Sequence, residues 1–124
     1  MLSKVKMVNA RRAIESLYDG TCTITEHKSV KKPNMSTGFV DEVVYENQPC
    51  RLSYKTVNQS SPTESASKLV QVVKVFLAPE IQVKPGSKLT ITQCGVTTDF
   101  KCSGQPAFYR THQEIVLELF QGWS

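Results

Sequence analysis

The chain has 124 residues and a mass of 13.9 kDa, which is enough for one domain with a hydrophobic core of its own. With 40% hydrophobic and 21% charged residues it is not a wholly disordered chain, and no apolar run reaches the roughly 18 residues of a membrane-spanning helix. The net charge of +4 is mildly basic, so charge alone favours a nucleic-acid-binding role only weakly. Residues 1–9 lack the apolar segment of a signal peptide, and we therefore expect a cytosolic chain.

The N-terminal segment, residues 3–18, carries the one convincing helical pattern. Apolar residues recur there at helical spacing, namely Met7, Ala10, Ile14 and Leu17. Gly20 is well placed to end the helix. The opposite face carries basic residues, Lys4, Arg11 and Arg12. That face is either simply solvated or a basic surface that points at a partner or at DNA phosphates.

Three strands are predicted next, over residues 21–26, 39–46 and 49–57, because apolar and polar side chains alternate in each. Residues 47–49 are short enough to join the last two strands as a hairpin. Two long polar loops are predicted, 27–38 after the first of these strands and 58–67 after the last. Loops of this length are uncommon inside a compact domain and are usually binding segments or disordered, so they are the strongest functional hint in the pattern.

The residue pattern of the second half of the chain predicts strands throughout. Residues 69–77 are largely apolar on both faces, which is typical of a central strand covered on both sides. Pro85-Gly86 suits a type II turn, and Cys94-Gly95 predicts a two-residue turn. That turn sets the register of its hairpin, with the pairs Gln93 and Val96, Ile91 and Thr98, and Leu89 and Phe100.

The last predicted strand, residues 114–120, places Ile115, Leu117 and Leu119 on one face. Together the elements predict a mainly β protein, a small closed β-barrel of about six to eight mostly antiparallel strands with one N-terminal α-helix. We expect residues 1–124 to form a single domain, with the helix at 3–18 and the barrel over 21–120.

The sequence has few residues that could bind a metal or form a disulfide. No pair of cysteines has CxxC spacing, and with two histidines we expect no metal and no cofactor. Cys22, Cys50 and Cys102 share faces with apolar residues, so buried free thiols are favoured over disulfides, while Cys94 is expected to be exposed in its turn.

No catalytic motif is present, and the sequence predicts no catalytic residue. His112 is expected to be a strand-edge residue bonded to a backbone carbonyl rather than a general base. Five aromatic residues fall mainly on predicted strands and are interpreted as core rather than as a base-stacking platform, namely Phe76, Phe100, Phe108, Tyr109 and Phe120.

Four segments in combination, residues 76–89, 95–98, 103–107 and 109–114, resemble the small minor capsid proteins of tailed phages and prophages of Gram-positive bacteria. The similarity is to head-tail connector proteins of the head-closure or stopper class, and it extends to the whole layout of short helix, small barrel and long loops. One departure is Cys94, where that motif more usually has a turn-forming residue such as Asn.

The resemblance implies a structural protein without an active site or a small-molecule substrate. Such proteins form a ring of copies below the portal and adaptor, retain packaged DNA and offer a platform to the tail and its completion proteins. We would then expect the chain at the head-tail interface of the virion, in the host cytoplasm before assembly, near DNA but not at a membrane. The candidate partner or channel residues lie in the two loops: Lys28, Lys31, Lys32, Asn58, Gln59, Ser60, Ser61, Thr63 and Glu64.

Other functions stay open at this point. One is a small-barrel nucleic-acid-binding module, in which aromatic residues beside Lys31, Lys32 and Arg51 would matter. Another is a neighbouring connector role, as an adaptor or a tail-completion protein. A small enzyme is the weakest alternative, because it needs convergent polar groups in a pocket that the sequence does not assemble.

Overall fold

The computed structural model describes residues 4–34, 36–59 and 68–123. This part of the chain is mainly β with one helix, as the sequence predicted. The elements are α1 (Lys4–Glu15), β1 (Gly20–Lys31), β2 (Thr37–Gln59), β3 (Lys68–Leu77), β4 (Lys88–Gln93), β5 (Val96–Cys102), β6 (Ala107–Phe108) and β7 (Gln113–Leu119).

The seven strands form one antiparallel sheet in the order β3-β2-β1-β4-β5-β7-β6. β3 also pairs with β7, so the pairings of six strands run in a ring. This second pairing gives β3 a neighbour on both sides, and Val75 and Leu77 on it are fully buried. The prediction of a central strand is confirmed for residues 73–77, which pair on both sides. The predicted cover of both faces is wrong in part, because Val70 and Val72 are only half-buried.

The core consists of apolar side chains from the strands and from the segment between β3 and β4: Cys22, Ile24, Cys50, Leu52, Val75, Leu77, Ile81, Val83, Leu89, Ile91, Phe100, Cys102, Ile115 and Leu117. Three of the four cysteines are therefore buried free thiols and Cys94 is exposed, as predicted. A hydrogen bond with Cys50 and burial raise the pKa of the Cys22 thiol far above its ordinary value, which keeps the thiol protonated.

The β4–β5 hairpin has the predicted turn and register. Cys94 and Gly95 both have positive φ, 54° and 77°, as a type I′ turn requires. All three predicted cross-strand pairs are present. The turn before β4 is also confirmed, since Gly86 has a φ of 86° and the Ser87 N–H donates to the Lys84 carbonyl at 3.1 Å.

The predicted loop at residues 27–38 is wrong over most of its length. β1 continues to Lys31 and β2 starts at Thr37, so a turn of only five residues separates two long strands. The two strands pair in register from Thr25 with Val43 to Lys31 with Thr37. The polar composition indicated a loop because this hairpin is solvated on both faces and lacks the apolar alternation of a half-buried strand.

The predicted turn at residues 47–49 is also wrong, because β2 runs through it without a break. The chain makes a β-bulge there instead: the pairing with β1 shifts between Cys22 and Ile24, and Asn47 has a φ of 48°. Asn is among the residues that tolerate this conformation, and a bulge bends the strand without ending it. Proline fits here because Pro49 has no pairing partner on the far side of β2 in the described chain.

The second loop was predicted over residues 58–67, but the structure shows that it does not start at residue 58. The backbone of Asn58 and Gln59 still belongs to β2 and pairs with Leu69 and Lys68. The remainder, residues 60–67, lies outside the described residues, and with it the candidate residues Ser60, Ser61, Thr63 and Glu64.

The helix forms, but it is shorter than predicted. It ends at Glu15, and Gly20, predicted as its end, is the first residue of β1. Met7, Ala10 and Ile14 are half-buried, whereas Leu17 is 56% exposed. Arg11 of the helix pairs with Glu80 in the segment between β3 and β4, and just after the helix the Leu17 carbonyl accepts from the Arg51 guanidinium of β2 at 3.1 Å.

Several apolar residues are more exposed to solvent than predicted. Ile115 and Leu117 of β7 are buried, but Leu119 is 62% exposed. Of the aromatic residues interpreted as core, Phe100 is buried, Phe76 and Phe120 are half-buried, and Phe108 and Tyr109 are exposed. The two exposed ones lie in or directly after the two-residue strand β6, which has a neighbour on one side only.

Candidate functional site

The most distinctive surface is a two-stranded ribbon, residues 26–31 of β1 and 37–42 of β2, which we call the arm. β1 pairs with β4 only as far as Thr25, and β2 pairs with β3 only from Arg51 onward. Beyond Thr25 the two strands therefore have each other as their pairing partner and no other strand of the described chain. At about 3.4 Å per residue, six residue pairs extend about 20 Å from the ring of strands.

The tip of the arm is held by local hydrogen bonds. The Lys32 N–H donates to the Ser36 carbonyl at 2.9 Å. The Asn34 side chain accepts from the Ser36 N–H at 3.2 Å and from its hydroxyl at 2.6 Å. Gly38 leaves room for the Lys32 side chain, which lies where a β-carbon at that position would be. Local turn chemistry thus closes a hairpin where the sequence predicts a loop.

The three predicted lysines of this segment lie on the arm but are not equivalent. The Lys28 ammonium lies 2.7 Å from a Glu42 carboxylate oxygen and 3.7 Å from one of Glu26, and the hydrogen bond to Glu42 raises the Lys28 pKa. Its charge is therefore already paired within the arm. Lys31 and Lys32, at the tip, are exposed.

One face of the arm carries an aromatic stack that the sequence analysis missed. The His27 ring is stacked between Phe39, at 4.6 Å between centroids, and Trp123, at 4.7 Å. Trp123 also meets Phe120 edge-on at 4.9 Å, and His27 Nδ1 lies 2.7 Å from Asp41. The C-terminal segment thus fixes the base of the arm against the body. A hairpin prediction at 27–38 would have brought His27 close to Phe39, but nothing in the sequence pointed to Trp123.

The arm also exposes apolar side chains to solvent. Phe39 is 63% exposed, Val40 49% and Val30 40%, and Val43 at the base is 48% exposed. Phe39 and Val43 lie on one face of β2, and Val40 and Val30 lie on the other, because side chains alternate along a strand. Apolar side chains are therefore exposed on both faces of this ribbon.

A cleft of about 500 Å³ lies beside the unpaired edge of β1. Its lining comes from residues 26–29 of that edge, from residues 84–87 of the turn before β4, and from Trp123. Lys84 closes one side through its contact with Glu26 at 3.7 Å. The cleft exists because the chain before Lys88 turns away from β1 instead of extending β4.

A second constellation surrounds His112. Its Nε2 lies 2.9 Å from Glu114 Oε2 and its Nδ1 lies 3.0 Å from the Thr111 hydroxyl. The ring stacks on Tyr109 at 4.8 Å and meets Phe76 edge-on at 5.6 Å. The predicted bond from the His112 ring to a backbone carbonyl is therefore wrong, since its partners are a carboxylate and a hydroxyl.

The acid, imidazole and hydroxyl around His112 have the order of a nucleophilic triad. His112 and Glu114 line an apolar cavity of about 230 Å³ with Ile14, Leu17, Tyr18, Arg51 and Phe76. Thr111 does not belong to that lining. Nucleophilic catalysis needs the hydroxyl itself to reach the reacting carbon.

The comparison with known proteins gives a likeness in structure but no family. A scan of protein-family models found no matching family, and a search of curated proteins found no match. Among solved structures, the chain is similar to the phage-like element PBSX protein xkdH from Bacillus subtilis, with 13% identity and a TM-score of 0.48. The similarity covers 80% of this chain and 91% of that one. A likeness at this level does not assign a function.

No helix in the described ranges, 4–34, 36–59 and 68–123, is long and apolar enough to cross a membrane.

Proposed function

We propose that this chain is a structural subunit of the head-tail connector of a tailed phage or prophage, of the head-closure or stopper class. In this role, copies form a ring below the portal and adaptor, retain the packaged DNA and provide the platform to which the tail attaches. We include in the proposal that the ring of paired strands is a closed barrel and that the protein acts without catalysis.

The observation that carries this proposal is the arm. Phe39, Val40 and Val30 are exposed on a ribbon that no other strand of the described chain pairs with. Phe39 stacks on His27 within the subunit, yet 63% of Phe39 and 49% of Val40 stay exposed, and an assembled subunit can bury these groups against a neighbour. The sequence resemblance of residues 76–89, 95–98, 103–107 and 109–114 points to the same class of assembly.

The test uses DNA-filled, tailless heads and the purified protein. We expect added protein to slow the release of DNA from the heads, measured as nuclease-sensitive DNA over time. A matched variant, Phe39→Ser with Val40→Ser, should bind the heads less well and protect less, while Val116→Ser, on an exposed site of β7 remote from the arm, should protect like the unmodified chain. Equal leakage with and without the protein would refute head closure.

A second candidate function, nucleic-acid binding, is favoured by one observation. Lys31 and Lys32 are exposed on the same arm as the exposed ring of Phe39, and backbone charge with a stacking ring is what single strands recognise. Against it, the Phe39 ring already stacks on His27, and Lys28 is paired with carboxylates. We therefore place this function second.

A further inference from the structure

The two long edges of the arm are both without a pairing partner in the described chain. The edge of β1 is free beyond Thr25, and the edge of β2 is free between Thr37 and Cys50, where β2 pairs with β1 alone. Free strand edges present unpaired N–H and C=O groups, which are templates for another strand.

The hydrogen bond at the tip identifies which groups face outward. The Lys32 N–H bonds to Ser36 across the turn, and opposite pairs in an antiparallel ribbon alternate between bonded and non-bonded. By this alternation, the N–H and C=O groups of Ser29 and Lys31 face the free edge of β1. Those of Thr37 and Phe39 face the free edge of β2.

The two edges have opposite charge. At matching heights, residues 26–32 contain three lysines and one glutamate, whereas residues 36–42 contain two carboxylates and neither lysine nor arginine. Lys28 is paired with Glu26 and Glu42 within the arm, so Lys31 and Lys32 provide the excess positive charge. The positively charged β1 edge is complementary to the β2 edge of a second copy, and it repels the β1 edge of that copy.

We propose that the arm is the contact between copies of this chain: the free β1 edge of one copy pairs with the free β2 edge of the next. When neighbouring arms point the same way, β1 runs towards the tip and β2 away from it, so the new pair is antiparallel like the pairs within each arm. The contact uses two different surfaces of one subunit, which is the type that closes into a ring by rotation. The inference rests on the proposed connector function and names the surface that builds its ring.

Lysines on a free edge also protect proteins from unwanted pairing, and that is the competing explanation for Lys28, Lys31 and Lys32. Protection by charged side chains does not account for exposed Phe39, Val40 and Val30 on the ribbon. The experiment separates the two explanations.

The experiment cross-links two chains that each have one accessible cysteine; both carry Cys94→Ser, which removes the exposed native thiol, and keep the three buried thiols. One has Ser29→Cys on the β1 edge, and the other, with a different tag, has Thr37→Cys on the β2 edge. At high protein concentration and with a short bis-maleimide, we expect the mixed product to dominate, and each variant alone to stay largely unlinked. A linker is used rather than a disulfide because it spans more than one register.

Two further chains test the backbone pairing itself. Adding Lys31→Pro to the Ser29→Cys chain removes an outward N–H without touching the bonds within the arm, and should abolish the mixed product. Adding Lys31→Thr removes the same charge but keeps the N–H, and should retain most of the product. Thermal unfolding verifies that both chains are folded.

Absence of the mixed product overturns the inference, and so does equal linking of each variant with itself, which indicates a two-fold contact. The DNA-retention experiment is interpreted independently of the cross-linking. Retention without cross-linking leaves the connector function in place and refutes the arm contact, whereas cross-linking without retention refutes head closure and keeps the contact.

Discussion

At the scale of single residues, one glycine that the sequence assigned to the wrong element lies too close to backbone atoms for a side chain. Gly20 starts β1 between two neighbouring strands, and a β-carbon there would lie 2.9 Å from the Thr92 carbonyl oxygen and 3.3 Å from that of Cys50. We expect Gly20→Ala to lower the free energy of unfolding by about 1–3 kcal/mol, because backbone atoms in paired strands cannot move aside. Urea unfolding measures it.

The matched control for Gly20 is Gly104→Ala, since nothing lies within 4 Å of the β-carbon position there. That variant should unfold within about 0.5 kcal/mol of the unmodified chain. Equal stability of the two variants would mean that the close approach at Gly20 is relieved by a shift of the strands.

At the scale of elements, the helix α1 is held on the body by charge as well as by packing. Arg11 pairs with Glu80, and that hydrogen bond lowers the Glu80 pKa. A lowered pKa in the folded state means that the pair stabilises the fold above the ordinary Glu value of about 4.3, and that this contribution is lost as pH falls through the folded pKa. Because Glu80 is 62% exposed, we expect at most about 1 kcal/mol.

The measurement is urea unfolding from pH 6 down to about pH 3, a span that brackets the ordinary Glu value, for the unmodified chain and for Glu80→Gln. The difference in stability between them should be largest at the upper end and should shrink in acid, while the other carboxylates cancel in the comparison. Arg12→Ala, which changes the neighbouring arginine of the same helix, serves as the control and should leave that difference unchanged. A difference that is constant with pH would show that Glu80 does not stabilise the fold through its charge.

At the scale of the whole molecule, the question is what the arm contacts. If nucleic acid is the partner, single-stranded DNA should bind, log Kd should depend on log salt, and Lys31→Ala with Lys32→Ala should reduce that slope by about 1–2, since each phosphate contact contributes about 0.7 for a single strand. Lys55→Ala with Lys74→Ala, two lysines outside the arm, is the control pair. Binding that is unmeasurable at low salt would remove this alternative and leave a protein partner.

The sequence by itself determined the elements whose information is local. Pro85-Gly86, Cys94-Gly95 and the alternation on either side of the latter fixed two turns and one hairpin register, because φ preferences and side-chain alternation act between near neighbours. The mainly β composition with one helix and the buried thiols could be predicted in the same way.

Only the tertiary structure decided the arm and its anchoring. The arm depends on cross-strand pairs such as His27 with Asp41, fourteen residues apart, and on Trp123, which reaches His27 from the far end of the chain. Gly20 as a close-approach residue and Gln113, whose buried amide donates to the Ala78 and Ile81 carbonyls at 2.7 and 2.5 Å, likewise have partners far away in sequence. A residue pattern reports burial and turns, but it does not report which distant group completes a contact, and the candidate site of this protein is built from such contacts.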